Sequence, residues 1–337
     1  MRVLIAGLGA IGQRHARNLR ALRPDIELHA LRGRRLRHVV TDTLQRDDTR
    51  DVEADLGVTV HGTLDDALAV RPDAVFVCTP SALHVDIALR AAAAGCHLFI
   101  EKPVSHTIDG LGRLQRTVAE RKCVAAVGCQ WRFHPGVLRL RELLVAGALG
   151  IVRKVEIQYA EYLPDWHPYE DYRTSYAARA DLGGGVVLTQ IHDYDLAWWL
   201  FGTVRSVHAT GGHLSALDVD VEDTVRAQLD TAAGPVFVAQ TFAERPPRRT
   251  VTVHGEAATA TLDLRETRLT VDPPVAEGLV LVDYQRNEMF RAEVADFLGC
   301  VASGGIPRSP LADGVAVLQV ALAVKESLRT GRPVQLT

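Results

Sequence analysis

The chain opens with the short apolar run Arg2-Val3-Leu4-Ile5-Ala6 and passes directly into Gly7-Leu8-Gly9-Ala10-Ile11-Gly12. A G-x-G-x-x-G string alone constrains little. Here it follows an apolar strand and opens a segment whose Ile11, Ala16, Leu19 and Leu22 fall near one helical face, and that context leaves few folds open. Gly7 permits a tight turn. Gly9 lets backbone N–H groups approach a pyrophosphate at a helix N-terminus, and Gly12 lets the helix lie close on the sheet. Gly7, Gly9, Ala10, Ile11 and Gly12 are therefore read as dinucleotide-binding residues.

Strand and helix signals alternate along the first 130 residues. Short continuous apolar runs at residues 2–6, 26–31, 58–60, 74–78, 97–100 and 124–127 suit parallel strands covered on both faces. Helical segments lie between them, one over residues 81–94 with Ser81 as its N-cap and Gly95 after its end. The expected first domain is a doubly wound parallel sheet over residues 1–128. A second domain, residues 129–337, reads as helices at 135–146 and 186–200 and then successive strands from Val204 to Tyr284. Examples are 223–229, 236–244, 250–254, 258–264 and 268–271, which together predict an antiparallel sheet. Two helices, 288–301 and 311–328, close the chain, and the last is expected to pack back on the first domain.

Composition excludes several classes of function. A net charge of −3 supplies no global basic field for nucleic acid or anionic membrane. No run of apolar residues is long enough to span a bilayer, and the N-terminal resemblance to a signal peptide is cut short by glycine and polar residues. The five cysteines, Cys78, Cys96, Cys123, Cys129 and Cys300, form no C-x-x-C pair, so neither disulfides nor a metal site is expected. A cytoplasmic protein is the reading.

Two strand ends carry chemistry. Cys78-Thr79-Pro80-Ser81, with His84 just beyond, follows one strand; Glu101-Lys102-Pro103 follows the next. Both sit at carboxyl ends of strands, where ligands bind in open α/β sheets, and Cys78, Thr79, Pro80, His84, Glu101 and Lys102 are assigned to the cofactor cleft. Among 38 basic residues only Lys102, Lys122, Lys154 and Lys325 are lysines, so a lysine at such a position stands out. A desolvated lysine can release its proton where arginine stays charged. The end of the second strand reads Leu31-Arg32-Gly33-Arg34-Arg35 without an acid to receive a ribose hydroxyl. Arg32, Arg34 and Arg35 suit a 2′-phosphate, which predicts NADP(H) in preference to NAD(H).

These features resemble the Gfo/Idh/MocA family, the glucose–fructose oxidoreductase and inositol dehydrogenase group. The resemblance rests on the N-terminal glycine motif, Thr79-Pro80, Glu101-Lys102-Pro103, and Gly183-Gly184-Gly185 followed by Ile191-His192-Asp193. It covers essentially the whole chain. It implies an N-terminal Rossmann domain and a C-terminal domain with a large, mostly antiparallel sheet that commonly joins subunits into a homodimer or homotetramer. It also implies hydride transfer between nicotinamide and a hydroxyl or keto carbon, with Lys102 and His192 catalytic, and a cis bond before Pro103. One departure stands out. Family members often carry an aspartate about four residues before the histidine, where this chain has Leu188 and Thr189. That leaves open whether Asp193 or Asp195 orients His192.

For the substrate, the aromatic and polar segment from Tyr162 to Arg173 suits a polyhydroxylated ring such as a sugar, cyclitol or nucleotide sugar. Arg132, Trp166, His167, Tyr169, Tyr172, Arg173 and Thr189 join Lys102 and His192 as candidate substrate contacts. The segment most resembles family branches acting on sugars in biosynthetic clusters. Two other readings share the fold, an imine or enone reductase and a non-catalytic dinucleotide-binding sensor.

Overall fold

The computed structural model describes residues 1–32, 38–167 and 170–336. The chain divides into two compact units. The first comprises Met1–Gln130, His167–Tyr169 and Asn287–Val315; the second comprises Trp131–Trp166, Glu170–Arg286 and Ala316–Thr337. Arg34, Arg35 and Tyr169 lie outside the described residues.

In the first unit the apolar runs form β1 (Arg2–Ala6), β2 (Glu27–Leu31), β3 (Thr59–His61), β4 (Ala74–Val77), β5 (His97–Ile100) and β6 (Ala125–Val127). Their order across the sheet is β3-β2-β1-β4-β5-β6, and every pairing is parallel. The order reverses direction between β1 and β4. The loops leaving these two strands therefore diverge and open a crevice at their carboxyl ends. Helices α1 (Ala10–Leu22), α2 (Val52–Leu56), α3 (Leu64–Ala69), α4 (His84–Ala93) and α5 (Leu111–Glu120) connect the strands. Val3, Leu4, Ile5 and Ala6 are all fully buried, the pattern of a strand covered on both faces.

A late segment completes this unit. The backbone N–H of Val127 donates to the Ser309 carbonyl at 2.9 Å, adding a pairing beside β6. On α9 (Asn287–Ser303) the fully buried Phe297 meets Phe76 and Phe99 edge-on at 5.5 and 5.6 Å, while those two stack on each other at 4.7 Å. Aromatic clusters of this geometry contribute beyond the area they bury.

The second unit holds α6 (Pro135–Val145), α7 (Val186–Thr189), α8 (His192–Phe201) and the larger sheet. Its strands are β7 (Val152–Tyr162), β8 (Val204–Gly212), β9 (Thr224–Thr231), β10 (Gly234–Thr241), β11 (Ala243–Gly255), β12 (Thr259–Asp263), β13 (Arg268–Asp272), β14 (Leu279–Val280) and β15 (Val334–Gln335). Among the described residues these lie in the order β14-β13-β12-β11-β7-β10-β9-β8-β15, antiparallel throughout except that β7 runs parallel to β10. A large, mostly antiparallel sheet was the expectation, and it is found.

Two details differ from the expectation. β7 lies in the middle of the sheet, although no strand of the second domain was expected before Val204. Along it Val155, Ile157 and Tyr159 are buried while Lys154, Glu156 and Gln158 are half-exposed, so its period-two signal is diluted by long polar side chains. The helix expected over 186–200 is broken at Gln190 (φ −102°, ψ 35°), and His192 begins the second piece. The Gln190 carbonyl and side chain are both taken by the sheet. Gln240 donates to the former at 2.8 Å and Arg249 donates to the latter.

Phe297→Ala should destabilise the protein by about 3–5 kcal/mol in urea unfolding, the range for emptying a packed aromatic site. A loss within about 1 kcal/mol would mean that α9 adds little to the first unit's core.

Candidate active site

The glycine motif meets its steric expectations. Gly7 has φ +101°, and a Cβ there would lie 2.8 Å from the Cys78 carbonyl oxygen. At Gly12 a Cβ would fall 2.0 Å from the Gly7 carbonyl oxygen, so α1 approaches the strand-end turn more closely than any side chain allows. Gly9 has nothing within 4 Å of such a Cβ and faces open space. The first turn of α1 has neither a capping side chain nor an acidic residue, so its amides and the positive end of the helix are left for an anion. Nearby, the buried Thr79 Oγ1 has no partner among the described residues. This donor set fits a dinucleotide pyrophosphate.

Around it the other first-unit residues fall into place. Cys78 continues β4, donating its N–H to the Ala6 carbonyl at 2.8 Å. Burial, with the Glu101 carboxylate nearby, pushes its thiol well up, which keeps it an inert packing group. His84 lies between two carbonyls, 2.8 Å from Thr79 O and 2.9 Å from Pro103 O. It thus ties the loop after β4 to the loop after β5, and burial lowers its proton affinity. The peptide bond between Lys102 and Pro103 is cis, as the resemblance implied.

Glu101 does not face outward. Its Oε1 accepts from His15 Nε2 at 2.7 Å, and its Oε2 accepts from the Lys102 backbone N–H at 3.2 Å. Gly128 leaves room for this carboxylate, since a Cβ there would lie 3.0 Å from Oε1. Lys102 follows immediately and is half-buried at the carboxyl end of the sheet.

At the end of β2 the arginine reading changes. Arg32 is buried, and its guanidinium pairs with the Glu53 carboxylate in the first turn of α2. A guanidinium so engaged is a poor reader of a 2′-phosphate.

In the second unit His192 is the first residue of α8 and is buried, with Leu188 and Thr189 buried before it. The two carboxylates after it are held by other groups. Asp193 Oδ2 accepts from Gln240 Nε2 at 2.7 Å, and Arg249 stands 3.9 Å away. Asp195 accepts from Arg132, with Nε 3.1 Å from both oxygens and one terminal nitrogen at 2.7 Å from Oδ1. Both side chains of that pair are fully buried. Arg132, expected as a substrate contact, instead anchors α8. Gln240 and Arg249, which brace the turn before His192, escaped the sequence reading. They sit at inward positions of β-strands, which period-two patterning marks as core rather than as bracing.

The aromatic segment is mixed. Trp166 lies edge-on to Phe242 at 5.1 Å, and the Tyr172 hydroxyl accepts from the Asp218 N–H at 3.1 Å. Arg173 is held by Asp171 at 2.6–3.0 Å on an exposed surface. His167 groups with the first unit.

Comparison with known proteins decides the family. Residues 1–129 match the oxidoreductase family with an NAD-binding Rossmann fold called GFO/IDH/MocA, and residues 137–261 match the GFO/IDH/MocA C-terminal domain. The chain belongs to the GFO/IDH/MocA family. As a member it is an oxidoreductase. It is 27% identical to scyllo-inositol 2-dehydrogenase (NAD(+)) of Bacillus subtilis (strain 168), over 100% of this chain and 96% of that one. It is 28% identical to UDP-N-acetylglucosamine 3-dehydrogenase of Acidithiobacillus ferrooxidans, over 96% of each. Among solved structures, GenD2 from gentamicin A biosynthesis in complex with NAD superposes with a TM-score of 0.82, at 26% identity over 100% of this chain and 96% of that one.

Two substitutions probe this geometry. Asp195→Asn leaves the buried Arg132 cation uncompensated and should cost about 3–5 kcal/mol in urea unfolding; an unchanged midpoint would contradict the pairing. Gly12→Ala should weaken dinucleotide binding by at least about tenfold in a fluorescence titration, because α1 must move off the turn. Wild-type affinity would show that the close approach is dispensable.

Proposed function

We propose that this protein is an NAD(P)-dependent dehydrogenase acting on a hydroxyl or keto carbon of a sugar, cyclitol or nucleotide sugar in a biosynthetic setting, with Lys102 and His192 handling the proton. The observation that carries this reading is the placement of Lys102. It leaves the carboxyl end of β5 in the same unit as the glycine turn, whose open face and free helix amides fit a dinucleotide. The named relatives act on an inositol and on a nucleotide sugar, which supports the substrate class.

When bound, the nicotinamide ring supplies the hydride acceptor or donor. Lys102 hydrogen-bonds the substrate oxygen and stabilises the negative charge that develops there as the C–H bond breaks. His192 takes the hydroxyl proton in oxidation and returns it in reduction, as an imidazole can near neutral pH. Gln240 and Arg132 engage Asp193 and Asp195, and His192 is carried at the start of α8 with no aspartate in the four residues before it. Trp166, His167, Tyr169, Tyr172 and Thr189 remain candidate walls of the substrate site.

The cofactor preference for NADP(H) now rests on Arg34 and Arg35. A second reading is favoured by Glu53, an acid brought to Arg32 at the end of β2, where a carboxylate favours the free ribose of NAD(H). For assembly, the half-exposed face of the large sheet, with Glu156, Gln158, Arg226 and Phe237, supports a homodimer or homotetramer. The free cysteines fit the cytoplasm, and among the described residues no helix is long and apolar enough to cross a membrane.

A panel of sugars, cyclitols and nucleotide sugars, monitored by nicotinamide absorbance, should yield at least one substrate. On it Lys102→Met should abolish turnover with dinucleotide affinity retained, and His192→Ala should lower kcat by roughly a hundredfold. Turnover surviving Lys102→Met would overturn the assignment. A kcat/KM ratio of at least about tenfold for NADPH over NADH supports the arginine reading, and the reverse supports Glu53.

A further inference from the structure

Beneath the Lys102 turn lies a buried cluster that the proposed chemistry does not use. His15 on α1, Glu101 at the end of β5 and Glu293 on α9 each bring one ring-nitrogen or carboxylate-oxygen atom to within 4.8 Å of the other two. All three are buried, His15 completely and Glu293 to within 3%. The surroundings are apolar. The His15 ring packs against Phe99 at 5.0 Å, Phe76 at 5.5 Å and Phe290 at 6.5 Å.

The hydrogen bonds constrain where the protons sit. His15 Nε2 donates to Glu101, while its Nδ1 has no partner among the described residues. An imidazolium would bury an Nδ1–H facing no acceptor among the described residues, which disfavours that form. Glu101 accepts two bonds, from His15 and from the Lys102 amide, and is the natural carboxylate. Neither oxygen of Glu293 accepts a bond from any described residue. Two carboxylates this close in an apolar pocket cannot both ionise without a counter-charge.

We propose that Glu293 holds a proton, leaving Glu101 the single carboxylate of the cluster, and that His15 and Glu293 are positioning residues that fix the Lys102 strand end against the helix after the glycine turn. The link to catalysis rests on the function proposed above. Burial and the Glu101 charge both push the Glu293 carboxyl well above its ordinary range. The groups facing it are His15 from α1, Glu101 from the end of β5 and Cys78 from the end of β4. Arg14, the nearby cation on α1, lies over Phe290 at 4.8 Å and donates to Asn287 at 2.9 Å. On α9 itself Arg291 is exposed, and Asp296 accepts from the Arg308 N–H.

This proton gives stability a definite pH dependence. A carboxyl protonated in the fold and ionised in the unfolded chain stabilises fully below about pH 4, and that stability is lost as pH rises toward the raised folded-state value. Glu293→Gln, a neutral mimic of the acid, escapes this loss. Its melting temperature relative to wild type should therefore climb with every pH unit from about 5 to 8. A constant gap, or a gap that shrinks, would overturn the proton assignment. Metal analysis of the purified wild type decides between a proton and a cation, since one imidazole and two carboxylates are also a divalent-cation donor set. Stoichiometric metal that is absent from Glu293→Gln would overturn the proposal in favour of a metal site.

Positioning is tested separately. His15→Ala should lower kcat by about tenfold or more with dinucleotide Kd changed less than about threefold, and His15→Gln, whose amide can donate to Glu101, should restore most of it. Equal kcat in wild type and His15→Ala would overturn the positioning role. Should no substrate be found, the melting and metal arms still judge the proton on Glu293, so their failure and that of the proposed function are distinct.

Discussion

The first unit depends on one close approach. With Gly12 so near the Gly7 carbonyl that a Cβ would sit 2.0 Å from it, α1 lies directly on the strand-end turn. That depth carries His15, one turn further along α1, into the Phe76 and Phe99 cluster and within hydrogen-bond reach of Glu101. Glu101 in turn holds the Lys102 amide. The same glycine spacing that leaves the amides of α1 open to an anion therefore also sets the strand end that presents the lysine. Larger residues in the motif would disturb both.

The second unit solves a different problem, which is how to keep a polar turn rigid inside a core. Asp193 and Asp195 would each be costly if left unpaired. Gln240 and Arg132 satisfy them, and Gln240 also bonds the Gln190 carbonyl and receives the Tyr194 hydroxyl at 2.8 Å. His192 starts α8 because the chain breaks there, and the break is held by side chains from strands far along the sequence.

How much of the structure was legible in the sequence depends on how local each signal is. Gly7 to Gly12 and the apolar strands of the first unit are local patterns, and they specified the parallel sheet and the position of Lys102 at a strand end, though not the order of the strands. β7 was missed because its partners β10 and β11 come some eighty residues later and its outward face is charged. Arg132 was misplaced because an arginine beside aromatic residues reads the same whether it meets a ligand or a buried aspartate. Arg32 was assigned to a phosphate because nothing nearby in the chain announces Glu53, which arrives through the fold. Glu293 did carry a signal, since it falls on the buried face of α9 with Phe290 and Phe297, where a carboxylate is out of place. The scarcity of lysine pointed to Lys102, although Lys325 also has a task, pairing with Glu222 at 3.0 Å in the second unit.

The most direct test of this account is hydrogen–deuterium exchange of the segment spanning residues 98–104, compared between wild type and His15→Ala. If the glycine turn, His15, Glu101 and Lys102 form one mechanical unit, the segment is protected in wild type and dinucleotide binding protects it further. In His15→Ala it exchanges faster, and the dinucleotide effect is lost. Identical exchange in the two proteins, with and without dinucleotide, would contradict the account.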